Sequence, residues 1–356
     1  MKESVKKFNR IVIKIGSSLF FSKGLELDES LFHRLVNQIS KLTAQGKEVV
    51  VVSSGAIALG MQVLGLKSRP KELSYLQASA AIGQNLLMDY YSSAFQKNKI
   101  NCAQILLTWD DFDDRKRYLN AKNTINTLLK LKSVPVINEN DTVSIEEIKF
   151  GDNDKLSARV ASLISADLLI ILSDVEGLLD GEGKVVRVVD EITAQVKSLA
   201  CPTQKQSCVG GMITKIEAAK IAVDSGIPCV IANGRKDNII VLAVQNLEEN
   251  GTLFVPNKSY LSLKKRWIAF GTKSKGKIIV DDGAKKALVN KKSLLSVGVF
   301  SVEGNFESND IVKITDKHGD EFARGKVSLS SKQLDKIKGV RSDKEVIHCD
   351  NIVILS

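Results

Sequence analysis

A chain of 356 residues, 44% hydrophobic and 26% charged, is long enough for two domains with a substantial core and argues against gross disorder. Five cysteines, odd in number, scattered and without a CxxC pair, argue against a disulfide framework or a structural zinc site, and three histidines far from other candidate groups argue against histidine-based catalysis. The net charge of +10 sits mostly in the tail, where residues 261–356 hold 19 Lys and Arg against 12 Asp and Glu; a solvated lysine-rich surface or an anionic partner such as RNA would account for it.

Nothing at the N-terminus reads as a signal peptide, because Lys2, Lys6, Lys7 and Arg10 lead into an apolar run of only about five residues. No apolar stretch approaches the roughly 20 residues that cross a bilayer, so a cytoplasmic protein with no membrane segment is expected. Residues 11–15 form a short β-branched strand ending in Lys14, Ile15, Gly16, Ser17 and Ser18. A helix follows from about Asp28, with Leu31, Leu35 and Ile39 on one face. The apolar strand 48–52 runs into Ser53, Ser54, Gly55 and a small-residue helix start at Ala56, Ile57 and Ala58. Helical periodicity resumes over 73–97, a strand over 102–107, and a helix over 115–132 with Leu119, Ile125, Leu128 and Leu129 as its apolar side. Strand, small-residue turn and helix recur, which predicts βαβ units and a parallel sheet.

The stretch 134–157 stands out. It opens as a strand, turns polar through Asn138, Glu139, Asn140 and Asp141, and turns polar again at Gly151, Asp152, Asn153, Asp154 and Lys155 before Leu156, Val160 and Leu163 at helical spacing. Either cluster alone reads as a helix cap or turn. Six carboxylates between Glu139 and Asp154 in a basic chain, placed where a strand ends and a helix begins, point instead to a ligand site of an open α/β sheet. Beyond it, 168–172 is a continuous apolar strand ending at Ser173 and Asp174, and 177–184 is a turn-rich excursion. Gly210 and Gly211 open a helix with Met212, Ile216 and Ala219 as its buried stripe, and 227–232 is a further strand. The alternation stops by Pro256. Lys264, Lys265, Arg266 and Trp267 read as linker, and from Gly276 short strands (278–280, 297–302, 311–315, 322–327, 346–354) with helices near 283–290 and 331–338 predict a small separate β-rich domain.

The common nucleotide fingerprints are missing. There is no GxGxxG, and the run Gly271 to Lys277 is followed by Ile278 and a strand where a P-loop needs a hydroxyl and a helix. Lys14 sits in a strand interior next to Gly16; a lysine there can snorkel from the sheet end, but the neighbouring glycine lets a ligand approach the backbone closely. Lys215 lies in the first turn of its helix, where a cation opposes the macrodipole by about 0.3–1 kcal/mol. A bound polyphosphate would reverse that penalty. Cations suit a transferring phosphoryl group, while carboxylates and amides suit a small substrate bearing an ammonium group.

Together, Lys14-Ile-Gly-Ser, Val52-Ser-Ser-Gly-Ala-Ile-Ala58, Val134-Pro-Val-Ile-Asn-Glu-Asn-Asp141, Gly151-Asp-Asn-Asp-Lys-Leu-Ser157 and Gly210-Gly-Met-Ile-Thr-Lys215 resemble the glutamate 5-kinase branch of the amino-acid kinase family, and the β-rich tail resembles a PUA domain. The resemblance implies an open, mostly parallel sheet sandwiched by helices over residues 1–260, a linker over 261–273 and a PUA-like domain over 274–356. It implies ATP-dependent phosphorylation of the side-chain carboxylate of L-glutamate, as the first step of proline synthesis. By that resemblance Lys14 and Lys215 neutralise the phosphates, Asp154 orients the two lysines, and Ser54, Asp141, Asn153 and Asn138 hold glutamate. Ser173, Asp174, Gly210, Gly211, Met212 and Thr214 would join the lysines around ATP, with Mg²⁺ travelling on the nucleotide and no metal ligand of the protein's own. It further implies a homo-oligomer, proline as feedback inhibitor and glutamate-5-semialdehyde dehydrogenase as a partner. With one polar cluster assigned to the amino acid and the other reaching the phosphate-binding lysines, the linker between them, residues 142–150, is expected to move on substrate binding.

Two departures fall on the nucleotide side. Cys208 and Val209 stand where the family has Gly-Thr, and after Asp174 the run Gly177, Leu178, Leu179, Asp180, Gly181 lacks the family's tyrosine and proline. The alternative reading is an RNA-binding or regulatory protein with a degenerate kinase domain. Against it, residues 274–356 hold only Phe300, Phe306 and Phe322 as aromatics, with no interleaved basic-aromatic pattern for base stacking.

Overall fold

The structure, a computed structural model, describes residues 8–21, 27–143, 152–200, 211–256, 263–270, 272, 274–340 and 345–355. The chain divides into two compact units, Met1–Asp111 with Lys116–Tyr260, and Phe112–Arg115 with Leu261–Ser356.

Among the described residues the first unit is organised by eight strands: β1 (Arg10–Ile15), β2 (Glu48–Ser53), β3 (Cys102–Leu107), β4 (Val134–Glu139), β5 (Leu168–Ser173), β6 (Val188–Val189), β7 (Cys229–Asn233) and β8 (Thr252–Phe254). They lie in the order β3-β4-β2-β1-β5-β7-β8-β6, all parallel except the β7–β8 pair. β4 and β5 are buried along their whole length, as near-continuous apolar runs in a two-sided parallel sheet must be.

Among the described residues ten helices accompany these strands in sequence: α1 (Ser17–Phe20), α2 (Glu29–Ala44), α3 (Ala56–Val63), α4 (Leu73–Gln96), α5 (Trp109–Asp113), α6 (Arg115–Lys130), α7 (Asp152–Ile164), α8 (Ala194–Leu199), α9 (Met212–Asp224) and α10 (Ile239–Gln245). α2 starts where expected because the Asp28 side chain accepts a hydrogen bond from the Leu31 N–H at 3.0 Å. α3 and α4 cross at two glycines. A Cβ on Gly60 would lie 1.7 Å from the Ser79 carbonyl oxygen, and one on Gly83 would lie 1.8 Å from that of Ala56. In α6 the buried side is Tyr118, Ile125 and Leu129, while Leu119 is 40% exposed; a period of 3.6 from Ile125 and Leu129 reaches Tyr118 rather than Leu119. Met212 of α9 is only half-buried, and its inner stripe is carried by Ile216, Ala219 and their neighbours. The turn-rich excursion is held by Asp180, whose Oδ1 accepts from the Glu182 and Lys184 N–H groups, both at 2.9 Å.

The second unit contains α11 (Leu263–Phe270), β9 (Gly276–Val280), α12 (Asp282–Val289), β10 (Leu294–Leu295), β11 (Val299–Gly304), β12 (Ile311–Thr315), β13 (Glu321–Lys326), α13 (Ser331–Ile337), β14 (Glu345–Ile347) and β15 (Ile352–Ile354). Five strands form one sheet in the order β11-β9-β12-β13-β15, and β10 pairs with β14 separately. Ile278, Val280, Phe306, Val312 and Ile314 are part of its own core. Two readings of the sequence change here. Residues 264–267, read as linker, belong to α11: behind the basic run, Ile268 and Ala269 are buried and the Ala269 carbonyl accepts from Arg324 Nη1 at 2.9 Å. Residues 346–354, read as one strand, are two strands of different sheets, separated by a 3₁₀ turn at Cys349–Asn351 where the Asp350 N–H donates to His348 Nδ1 at 3.2 Å.

Candidate active site

β1 lies at the switch of the first sheet, with β2 on one side and β5 on the other, so chain connections leave in opposite directions past its carboxyl end. Open α/β sheets hold their ligands in the crevice this creates. A cavity of about 360 Å³ occupies it, lined by the ends of β1, β2, β4 and β5 and the starts of α3, α7 and α9. The strand ends are level, since Ile15 pairs with both Ser53 and Leu172. Gly16 follows directly and its N–H donates to the Leu172 carbonyl at 3.2 Å, while the bare face of its Cα stands beside Lys14 Nζ. Gly55 opens α3 at φ +112°, a left-handed conformation that glycine adopts without strain, and a Cβ there would press on Phe20.

At one end of the cavity three charges are packed out of water. Asp154, on α7, is 1% exposed, and its Oδ1 meets Lys14 Nζ at 2.5 Å while its Oδ2 meets Lys215 Nζ at 3.3 Å. The Thr214 hydroxyl lies 2.9 Å from Asp154 Oδ2 and 3.0 Å from the Gly211 carbonyl, and Lys215 also donates to that carbonyl at 3.3 Å. Burial, reinforced by the like charge of Lys215, holds the Lys14 pKa below the ordinary lysine value despite the pull of Asp154. For Asp154 burial pushes upward, but the two lysines and the hydrogen bonds from Lys14 and Thr214 outweigh it and keep the carboxyl below its usual range. Nearby, Ser173 Oγ donates to Asp174 Oδ1 at 3.0 Å. Burial again works against ionisation of Asp174, and hydrogen bonds from its own backbone, Ser173 and Ser18, with the charge of Lys215, lower its pKa all the same.

Elsewhere along the same wall three neutral side chains, Ser54, Asn138 and Asn153, are linked to one another. Asn153 Nδ2 donates to Ser54 Oγ at 2.9 Å and to Asn138 Oδ1 at 3.0 Å. Asn138 is 2% exposed, accepts from the Glu139 N–H at 2.9 Å and donates to Gln84 Oε1 at 2.8 Å. Asp141 also lines the cavity, within electrostatic reach of Arg69.

Two segments of the chain match family models: residues 9–233 match the amino acid kinase family and residues 276–349 match the PUA domain. The chain belongs to the amino acid kinase family. Among its curated relatives are the glutamate 5-kinase of Caldanaerobacter subterraneus subsp. tengcongensis, 46% identical over 97% of this chain and 98% of that protein, and the glutamate 5-kinase of Dehalococcoides mccartyi, 43% identical over 98% and 99%. Carbamate kinase from Giardia lamblia bound to AMP-PNP shares the fold, with a TM-score of 0.51 at 16% identity, covering 70% of this chain and 99% of that one. N-acetylglutamate synthase from Neisseria gonorrhoeae superposes with a TM-score of 0.52 at 14% identity over 71% of this chain.

Within this amino acid kinase fold, ten of the sequence-selected residues line one cavity: Lys14, Ser54, Asn138, Asp141, Asn153, Asp154, Ser173, Asp174, Thr214 and Lys215. Gly211 lines it too. Met212 follows at the first position of α9 and is not among its described walls. Gly151, Gly210, the Cys208–Val209 pair and residues 144–150 of the segment expected to move lie outside the described residues. Sequence reasoning passed over Arg69, which lines the cavity, and Gln84, which backs it; Glu139, read only as a member of the polar cluster, lines the cavity as well. Arg69 precedes Pro70 in a polar connection between α3 and α4, and Gln84 lies mid-helix among small residues, so neither breaks a local rule that would single it out.

Proposed function

We propose that this protein transfers the γ-phosphoryl group of ATP to the side-chain carboxylate of L-glutamate, giving L-glutamyl 5-phosphate and ADP. The observation that carries the reading is Asp154 gripped by Lys14 and Lys215 at 2.5 and 3.3 Å on the wall that also bears Ser54, Asn153 and Asp141. Two cations stand ready for phosphate, and an acid and two hydrogen-bonding side chains stand ready for an amino acid. Nearly full-length likeness to proteins named glutamate 5-kinase supports the choice of acceptor.

In this reading Lys14 and Lys215 face the transferring phosphoryl group, and Asp154 orients them by accepting from both. Ser54, Asn153 and Asp141 hold glutamate, with Asn138 behind Asn153. Ser173, Asp174, Gly210, Gly211, Met212 and Thr214 surround the nucleotide, and Thr214 acts mainly through Asp154. A glutamate carboxylate oxygen attacks the γ-phosphorus, the bond from that phosphorus to the β–γ bridging oxygen breaks, and ADP leaves. The nucleophile, with a pKa of about 4.3, is already ionised at neutral pH and needs no general base. Catalysis then rests on positioning and on charge held in place beforehand. Mg²⁺ would come with ATP and would supply neutralisation of phosphate charge. Both oxygens of Asp154 are committed to lysines and Thr214, so the buried carboxylate does not supply its ligands.

The kinase domain spans residues 1–260 and a PUA-like domain 274–356. The enzyme works in the cytoplasm as a homo-oligomer, feeds glutamate-5-semialdehyde dehydrogenase and is inhibited by proline. The alternative, a regulatory protein with a degenerate kinase domain, sits poorly with an intact pair of buried lysines around Asp154. ATP turnover with glutamate, aspartate, N-acetylglutamate or no acceptor, with the acyl phosphate trapped by hydroxylamine, tests the proposal. Hydroxamate should form with glutamate, and its absence would refute the activity.

A further inference from the structure

The amide network behind the acceptor pocket has a direction, and one backbone group sets it. A side-chain amide can be turned end for end, so its orientation has to be decided by its partners. The Glu139 N–H is a donor and nothing else, and it lies 2.9 Å from the Asn138 amide; the atom facing it is therefore the oxygen. That oxygen also receives Asn153 Nδ2 at 3.0 Å, and the same nitrogen donates to Ser54 Oγ at 2.9 Å. Both hydrogens of Asn153 are thus committed, and Asn153 has only an acceptor left to offer. Asn153 Oδ1 is buried and has no donor among the described residues. Asn138 Nδ2, pointing the other way, needs an acceptor, and Gln84 Oε1 on α4 supplies it at 2.8 Å.

We propose that Gln84 is a positioning residue for recognition of the acceptor's α-ammonium group: by holding Asn138 it keeps the Asn153 amide turned so that Asn153 can only accept from the ligand. The inference rests on the reading of the cavity as a glutamate site. Its consequence is specificity by polarity. A buried acceptor without a donor is costly, and a ligand carrying an ammonium group relieves that cost while an otherwise identical ligand lacking it does not. Ser54, which accepts from Asn153, keeps its own hydroxyl hydrogen to give to a carboxylate.

Glutarate keeps both carboxylates of glutamate and lacks only the ammonium group, so it isolates the contact. The experiment measures the glutamate KM and the glutarate inhibition constant for the full chain, Gln84→Met and Gln84→Glu. Met fills the space with no acceptor, and Glu keeps one. Gln84→Met should raise the glutamate KM about tenfold while the glutarate constant and the ATP KM move less than about twofold, and Gln84→Glu should stay within about threefold of the parent throughout. Equal changes for glutamate and glutarate, or no change for either, would overturn the role of Gln84 while leaving the activity standing. A parent enzyme that forms no glutamate-dependent hydroxamate would overturn the reading on which the inference rests. Thermal unfolding of each variant separates the outcome from misfolding, because a loss of folded enzyme lowers the apparent kcat and leaves the two constants in their original ratio.

Discussion

Replacing Asp154 by Asn keeps the shape of the side chain and removes the charge between Lys14 and Lys215. The carboxylate is 1% exposed and meets the two ammonium groups at 2.5 and 3.3 Å. At an effective dielectric constant near 20 these contacts amount to roughly 7 and 5 kcal/mol of attraction, most of which offsets the removal of three charges from water. What survives as stability is the cost of breaking a buried pair, about 3–5 kcal/mol. Urea unfolding at pH 7 should therefore show Asp154→Asn less stable by about that amount. The sign of the pH dependence follows from Lys14. Its pKa in the fold lies below the ordinary 10.5, so between the lowered value and 10.5 the unfolded chain binds more protons and stability rises with pH. Asp154 is among the influences that hold that pKa up, so in the variant the window opens lower and more of the lost stability returns as pH rises toward 10.5. In the parent, Asp154 itself adds stability that is complete above the ordinary 3.8 and is lost only as pH falls through its lowered value. A third measurement closes the test. ATP brings phosphate charge to two uncompensated lysines, so it should raise the melting temperature of the variant more than that of the parent, even as kcat falls by at least about 10². A stability loss under about 1 kcal/mol, the value of an exposed pair, or an equal ATP shift in both proteins would refute this account of the site.

Lys215→Ala removes one of the two charges proposed to face the phosphoryl group, and kcat in the hydroxamate assay should fall by about 10² to 10³; an unchanged kcat removes Lys215 from the mechanism. Asp141→Ala should raise the glutamate KM and leave the ATP KM within about twofold, whereas an effect confined to ATP would mean that the two halves of the cavity are assigned the wrong way round. Gly83→Ala places a methyl group 1.8 Å from the Ala56 carbonyl oxygen, so the α3–α4 crossing must open. Chemical unfolding should show a loss of about 1–3 kcal/mol or more, and a neutral result would mean that the two helices do not approach as closely as described.

The parallel sheet was readable because each of its long strands is an apolar run ending in small or polar residues, and 168–172 and 134–137 are buried throughout, as such runs require. The shorter elements gave no such signal. Val188–Val189 and Thr252–Phe254 are two and three residues long, too brief for a period to register, and they are strands only because the sheet edge offers partners. In the tail, three consecutive basic residues masked α11, whose buried side comes from the apolar residues just behind them. The site divided along the same line. Asn138, Asp141, Asn153 and Asp154 were readable because polar clusters at a strand end and a helix start are locally unusual. Gln84 was not, because a glutamine inside a helix is ordinary until the fold places Asn138 Nδ2 2.8 Å from it.

Lys215 is the residue whose meaning changes most between sequence and fold. A lysine in the first turn of a helix opposes the macrodipole, and the sequence alone leaves a bound anion as the compensation. The fold supplies part of that compensation itself, through Asp154 and through the Gly211 carbonyl, which Lys215 reaches at 3.3 Å. One carboxylate is shared between two lysines, however, so with all three ionised the cluster keeps a single net positive charge. A fully neutralised cluster would give a phosphoryl group little reason to bind, and two bare lysines would repel each other in the absence of nucleotide. Sharing Asp154 holds both ammonium groups at fixed positions and leaves one charge unspent. In the transfer proposed here, an anionic γ-phosphoryl group is attacked by an anionic carboxylate, and the repulsion between them is the barrier that residual charge is placed to lower.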